Sequence, residues 1–158
     1  MERDPFAYEE GEGTEVAMGD IKTSKAPGSL RTSGLGPCLG IALFDSTKRR
    51  GSLGHSTGYP DKFFLENFGK ELKKYYKDKT IVKIWLRGVS QPTLKDNEEN
   101  PGLNESCIKS RLEVINFLKN LGFKEDQIDV NWQQSPLEST TITLDLSSGT
   151  MQSDTEEV

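Results

Sequence analysis

A single histidine, two well-separated cysteines and no long apolar run set the limits of this 158-residue chain. One His beside two Cys leaves no plausible zinc set, since such sites gather three or four Cys, His and carboxylate ligands. No metal or cofactor is expected. Two distant cysteines build no disulfide framework, and free thiols fit a reducing compartment. No run approaches the ~20 apolar residues of a membrane helix, and the acidic amino terminus lacks the basic-then-apolar order of a signal peptide. The expectation is a cytoplasmic protein with no membrane insertion. A formal net charge of -5 argues against general nucleic-acid binding, which needs clustered cations. There is no internal repeat and no Walker or dinucleotide glycine loop. Hydrophobic residues are only 33% of the chain and mean hydropathy is -0.62. Polar ends account for part of that. Residues 1–13 read as a flexible acidic N-terminus and 151–158 as an acidic flexible tail, leaving 14–150 as one domain able to bury a core without staples.

What is present concentrates between Arg31 and His55, RTSGLGPCLGIALFDSTKRRGSLGH. A cysteine becomes a useful nucleophile when a neighbour generates its thiolate, most often an imidazole. With one histidine available, Cys–His chemistry here must use His55. Cys38 follows the turn Gly34-Leu35-Gly36-Pro37, where two residues lack a Cβ and the backbone can approach a substrate. Cys107 lies in a helix-like pattern and reads as a small packing residue. The run Cys38 to Phe44 reads as a buried strand, and Gly51 to His55 can return beside it, bringing the two candidate residues to neighbouring ends. Thr32 is placed to orient the imidazole, as the third member of a triad does. A developing oxyanion needs backbone N–H donors near Gly36 and Cys38; Pro37 has none to give, so the Cys38 amide is the first candidate. A working diad is expected to depress the Cys38 pKa and speed its alkylation.

Elsewhere, Glu15 to Thr23 reads as a strand. Pro60 offers a helix start, and Phe64, Phe68, Leu72 and Tyr75 recur at helical spacing. Thr80 to Leu86 is a β-rich run, followed by a long polar connection from Gln91 to Asn104. Asn104 or Ser106 would cap a second helix with Ile108, Leu112, Ile115 and Leu118 on its apolar face and Gly122 at its end. Gln127 to Trp132 and Thr140 to Leu146 read as strands. Together these predict an α/β (α+β) sandwich, a mixed β-sheet covered by two main helices.

Thr32, Leu35-Gly36-Pro37-Cys38, Leu43-Phe44-Asp45 and Gly51-Ser52-Leu53-Gly54-His55 fall in order on a known pattern. So does Val16 to Lys22 upstream and, more weakly, Val114 to Leu118 and Ile142 to Gly149. The chain resembles the chemoreceptor glutamine deamidases (CheD), related in fold to cytotoxic necrotizing factor-type deamidases. Pro37 stands where that family usually has Ser, and its later glycine-rich segments are replaced by Trp85 to Ser90 and Gln134 to Ser139. The resemblance implies a cysteine-dependent protein glutamine deamidase with Cys38, His55 and Thr32 as its catalytic set. It implies a glutamine-containing protein substrate, expected to be a chemoreceptor cytoplasmic domain, and a chemotaxis phosphatase as partner. The alternatives are a non-enzymatic chemotaxis binding module and a toxin-like deamidase acting on another protein.

Overall fold

Leu39–Asp45 forms a strand, β4, in which every residue is buried. The computed structural model describes residues 13–57 and 62–157. Alternation along β4 sends its side chains into two different cores. Leu39, Ile41 and Leu43 pack with Phe64, Phe68, Leu72, Val114 and Leu118. Ala42 and Phe44 pack instead with Leu30, Leu53, Trp85, Ile142 and Leu144. A strand apolar on both faces must be covered on both. Helices α1 (Lys62–Tyr75) and α3 (Leu103–Asn120) cover the first. A second sheet covers the other.

The central sheet has the spatial order β2 (Ile21–Lys25), β5 (Arg50–Ser56), β4, β6 (Val82–Gly88), β7 (Ile128–Trp132). Its pairs are antiparallel except β6 with β7. That parallel pair requires a crossover, and α3 provides it. The second sheet has the order β1 (Thr14–Glu15), β3 (Ser29–Leu35), β8 (Glu138–Asp145), β9 (Thr150–Glu157), with β1 and β3 parallel. The α+β sandwich of mixed sheet and helices is therefore present, with a second mixed sheet added to it. That addition corrects the single-sheet expectation.

Five further expectations change. The tail predicted to be flexible over 151–158 is β9 from Thr150 to Glu157, paired residue by residue with β8 from Met151↔Leu144 to Glu157↔Glu138. Met151 packs against the inter-sheet core while acidic side chains face solvent, which blunts the free edge. The strand expected over Glu15 to Thr23 is divided between β1 and β2 by a turn at Met18 and Gly19. The connection from Gln91 to Asn104 contains a short helix, α2 (Leu94–Glu99), begun by a capping box of Thr93 and Asp96. The buried face of α3 is Cys107, Ser110, Val114 and Leu118, whereas Ile108 and Leu112 are 48% and 53% exposed. Cys107 and Ser110 share this buried face with Val114 and Leu118, so hydropathy alone does not mark it. Its N-cap is Gly102, not Asn104 or Ser106, and Gly122 follows its end at φ 108°. The expected flexible segment 1–13 lies almost wholly, and the helix start at Pro60 entirely, outside the described residues.

Candidate active site

Three elements carry the predicted residues, of which Thr32 and His55 are in hydrogen-bond contact and the Cys38 thiol is not joined to the imidazole. Thr32 is on β3, His55 on β5, and Cys38 lies immediately before β4. In the β4–β5 register Gly40 stands opposite His55. Cys38 is two residues further along and so on the same face, a diagonal neighbour at roughly 7–8 Å between backbones. The β3–β8 pairing shifts register between Thr32 and Leu35, with Gly34 at φ 77°. This bulge lets the chain turn from β3 into the Gly36-Pro37-Cys38 segment just after delivering Thr32.

Thr32 is fully buried and His55 only 5% exposed. Thr32 Oγ1 lies 2.7 Å from His55 Nδ1 and donates to Val16 O at 2.6 Å. A hydroxyl has one proton. Because Val16 O takes it, Thr32 must accept from the imidazole, which assigns the hydrogen to Nδ1 and leaves Nε2 as the basic nitrogen. Among the described residues Nε2 is buried without a hydrogen-bond partner. The backbone of His55 is pinned by Gly19 N–H donating to its carbonyl at 2.6 Å and by its own N–H donating to Asp20 O at 3.1 Å. Burial lowers the His55 pKa below its usual 6.5, so the ring is neutral near pH 7.

Cys38 is half-buried, and its thiol is directed to Met18 Sδ at 3.8 Å. Burial raises its pKa above the usual 9.0. That is opposite to the depression expected of a working diad, and no hydrogen bond joins the thiol to His55 Nε2. Gly36 O and Cys38 O are both engaged, accepting from Ser90 and Val89 N–H at 2.9 and 3.0 Å. Among the described residues no acceptor takes the Cys38 N–H. A cleft of about 180 Å³ lined by Met18, Gly19, Ser56, Thr57, Phe63, Phe64 and Asn67 reaches the thiol's contact residue and the residue after His55. Cys107, by contrast, is buried against Ser90 O at 3.5 Å, with its pKa raised by burial. Among the described residues there is no group of three or more His, Cys, Asp or Glu able to hold a metal ion, and no helix long and apolar enough to cross a membrane.

Several residues shape this site without a local sequence signal. Gly88, at φ 89°, lies so close to the Cys38 carbonyl that a Cβ would fall 2.0 Å from that oxygen. No other residue fits there. Gln133, 7% exposed, receives a hydrogen bond from Thr140 and donates to Glu138 O next to Gly36. Met18 was visible only as a strand residue.

No family model matches the chain. A probable chemoreceptor glutamine deamidase CheD from Clostridium kluyveri is 31% identical over 121 residues, 77% of this chain and 67% of that one. The Bacillus subtilis chemoreceptor glutamine deamidase CheD is 42% identical over 41 residues. The probable CheD of Desulfitobacterium hafniense is 48% identical over 40 residues. Each of these two shorter alignments spans 25% of the relative's own length. Among solved structures, the Bacillus licheniformis hypothetical protein YfiH gives a TM-score of 0.51 at 11% identity over 73% of this chain and 51% of that one, a likeness of fold alone. Matched across 67% of the Clostridium kluyveri relative, the chain belongs to the CheD family of chemoreceptor glutamine deamidases.

Proposed function

We propose that this protein is a cysteine-dependent protein glutamine deamidase whose nucleophile is Cys38, base His55 and orienting residue Thr32. The observation that carries the reading is the buried Thr32–His55 pair, which fixes the tautomer that leaves Nε2 free to take a proton on the side of the sheet that bears Cys38. Nε2 removes the Sγ proton as the sulfur attacks the glutamine carboxamide carbon. The C=O electrons move onto oxygen, which the Cys38 N–H and the neighbouring Gly36 backbone are positioned to stabilise. The tetrahedral intermediate collapses, the C–N bond breaks, and His55 returns its proton to the departing ammonia. Water then gives a proton to Nε2 and attacks the thioester, releasing glutamate and the free thiol.

The substrate proposed is a glutamine on a chemoreceptor cytoplasmic domain, reached in the cytoplasm, with a chemotaxis phosphatase as partner. The exposed Met18 and Phe63 flank the cleft and suit the apolar flank of a helical substrate. Ammonia release and the mass change of amide to acid, measured on a receptor fragment with wild type and Cys38→Ala in parallel, test the whole reading. Conversion that vanishes with Cys38 is the expected result. Conversion that survives Cys38→Ala overturns the nucleophile, and binding without any conversion favours the non-enzymatic module.

A further inference from the structure

Val89 is a β-branched residue at φ 47°, 3% exposed. Left-handed backbone is a genuine outlier for such a side chain and persists only where the surroundings over-determine it. Two sets of contacts do so. Toward the catalytic turn, Val89 N–H donates to Cys38 O at 3.0 Å and Ser90 N–H donates to Gly36 O at 2.9 Å. These bonds grip both ends of Gly36-Pro37-Cys38. On the opposite side, Val89 O accepts from Arg111 Nη2 at 2.7 Å and from Nε at 3.1 Å. The same guanidinium donates to Gln133 O at 3.3 Å and lies 5.5 Å from the centroid of the Trp132 ring.

We infer that Arg111 is a positioning residue for the nucleophile: it holds the Val89 carbonyl, and the Val89-Ser90 peptides in turn hold the turn that presents the Cys38 thiol and N–H. The inference rests on the proposed role of Cys38. Arg111 touches neither reacting atom; it acts through one intervening residue. The planar guanidinium fork suits the task, because it gives two charged donors to one carbonyl and a third bond to a neighbour. A lysine at the same place keeps the charge but not the fork. The support is anchored on α3, packed against the central sheet, whose Cys107 Sγ also lies 3.8 Å from Val89 O and 3.5 Å from Ser90 O, so the turn is braced from an element outside the proposed catalytic set.

The test is made on the full chain with Arg111→Met and Arg111→Lys. Amide hydrogen exchange is read by NMR, and kcat and KM from ammonia release on a receptor fragment. In Arg111→Met the Val89 and Ser90 amides should exchange at least ~10-fold faster while the Leu86 amide, in mid β6, is unchanged. The expected kcat loss is about 10- to 100-fold, with KM held within about twofold, as for misplacement of a reacting group. Arg111→Lys should recover part of both. Unchanged exchange at Val89 and Ser90, loss shared equally by Leu86, or unaltered kcat each overturns the inference. If Arg111→Met does not fold, Arg111→Lys decides: intermediate values support the role and wild-type values overturn it. A wild type that releases no ammonia would sink the deamidase reading by itself, and the exchange data would still decide whether Arg111 holds the turn.

Discussion

The state of the site at neutral pH follows from how one hydroxyl distributes its bonds. Thr32→Val keeps the volume but removes the acceptor, leaving His55 Nδ1–H buried and unpaired at a cost of about 1–3 kcal/mol. Thermal melting should show that loss, and kcat should drop about 10²-fold, the lower end of what a positioned base contributes. Thr32→Ser should retain most of both. Because burial opposes the imidazolium, kcat/KM should hold as pH falls to 6.5 and decline only below it; an acid limb above 6.5 would contradict the buried neutral base. The Thr32–His55 contact was legible in the sequence because the chain has one histidine and the flanking motif places a threonine to orient it. Gly88, Val89 and Arg111 were not, since their roles exist only through contacts between segments distant in the chain. The raised Cys38 pKa has a related cause: burial of the thiol, which spacing along the chain does not reveal.

At the scale of elements, β4 was legible as an unbroken apolar run between turn signals and α1 by the helical spacing of its aromatics. The orientation of α3 was not, since its inward face carries Cys107 and Ser110. Leu118→Ala should therefore cost about 2–5 kcal/mol in denaturant titration, as for deletion of a buried aliphatic side chain. Leu112→Lys should stay within about 0.5 kcal/mol, as for an exposed position. The second sheet carries little sequence signal, because β9 is polar along nearly its whole length and β1 has only two residues. Between α1, β2 and β5 a chain of hydroxyls runs from Tyr76 through Ser52 and Thr23 to Glu71, with steps of 2.6, 2.7 and 2.8 Å. Thr23 donates to the Glu71 carboxylate, so Ser52 donates to Thr23 and Tyr76 to Ser52. Burial of this phenol drives its pKa well above the usual 10.0. Ser52→Ala removes the middle member and strands the Tyr76 hydroxyl, an expected loss of about 1–3 kcal/mol by thermal or chemical melting.

For the molecule as a whole, His55 links stability to pH. Its folded pKa lies below the unfolded value near 6.5, so the unfolded chain takes the proton first and stability falls as pH drops from 6.5 through the folded pKa. The melting temperature should decline more steeply over that window in wild type than in His55→Gln; equal slopes would remove His55 as a cause. The two-sheet arrangement has another consequence, for synthesis. Thr32 is held by the pairing of β3 with β8, opposite Ile142, which the ribosome delivers long after Cys38 and His55 have emerged. A chain still being made holds Cys38 and His55 in sequence but lacks the strand that pairs with β3 at Thr32, the acceptor for the His55 ring. The orientation of the His55 ring therefore depends on a strand that the chain supplies late.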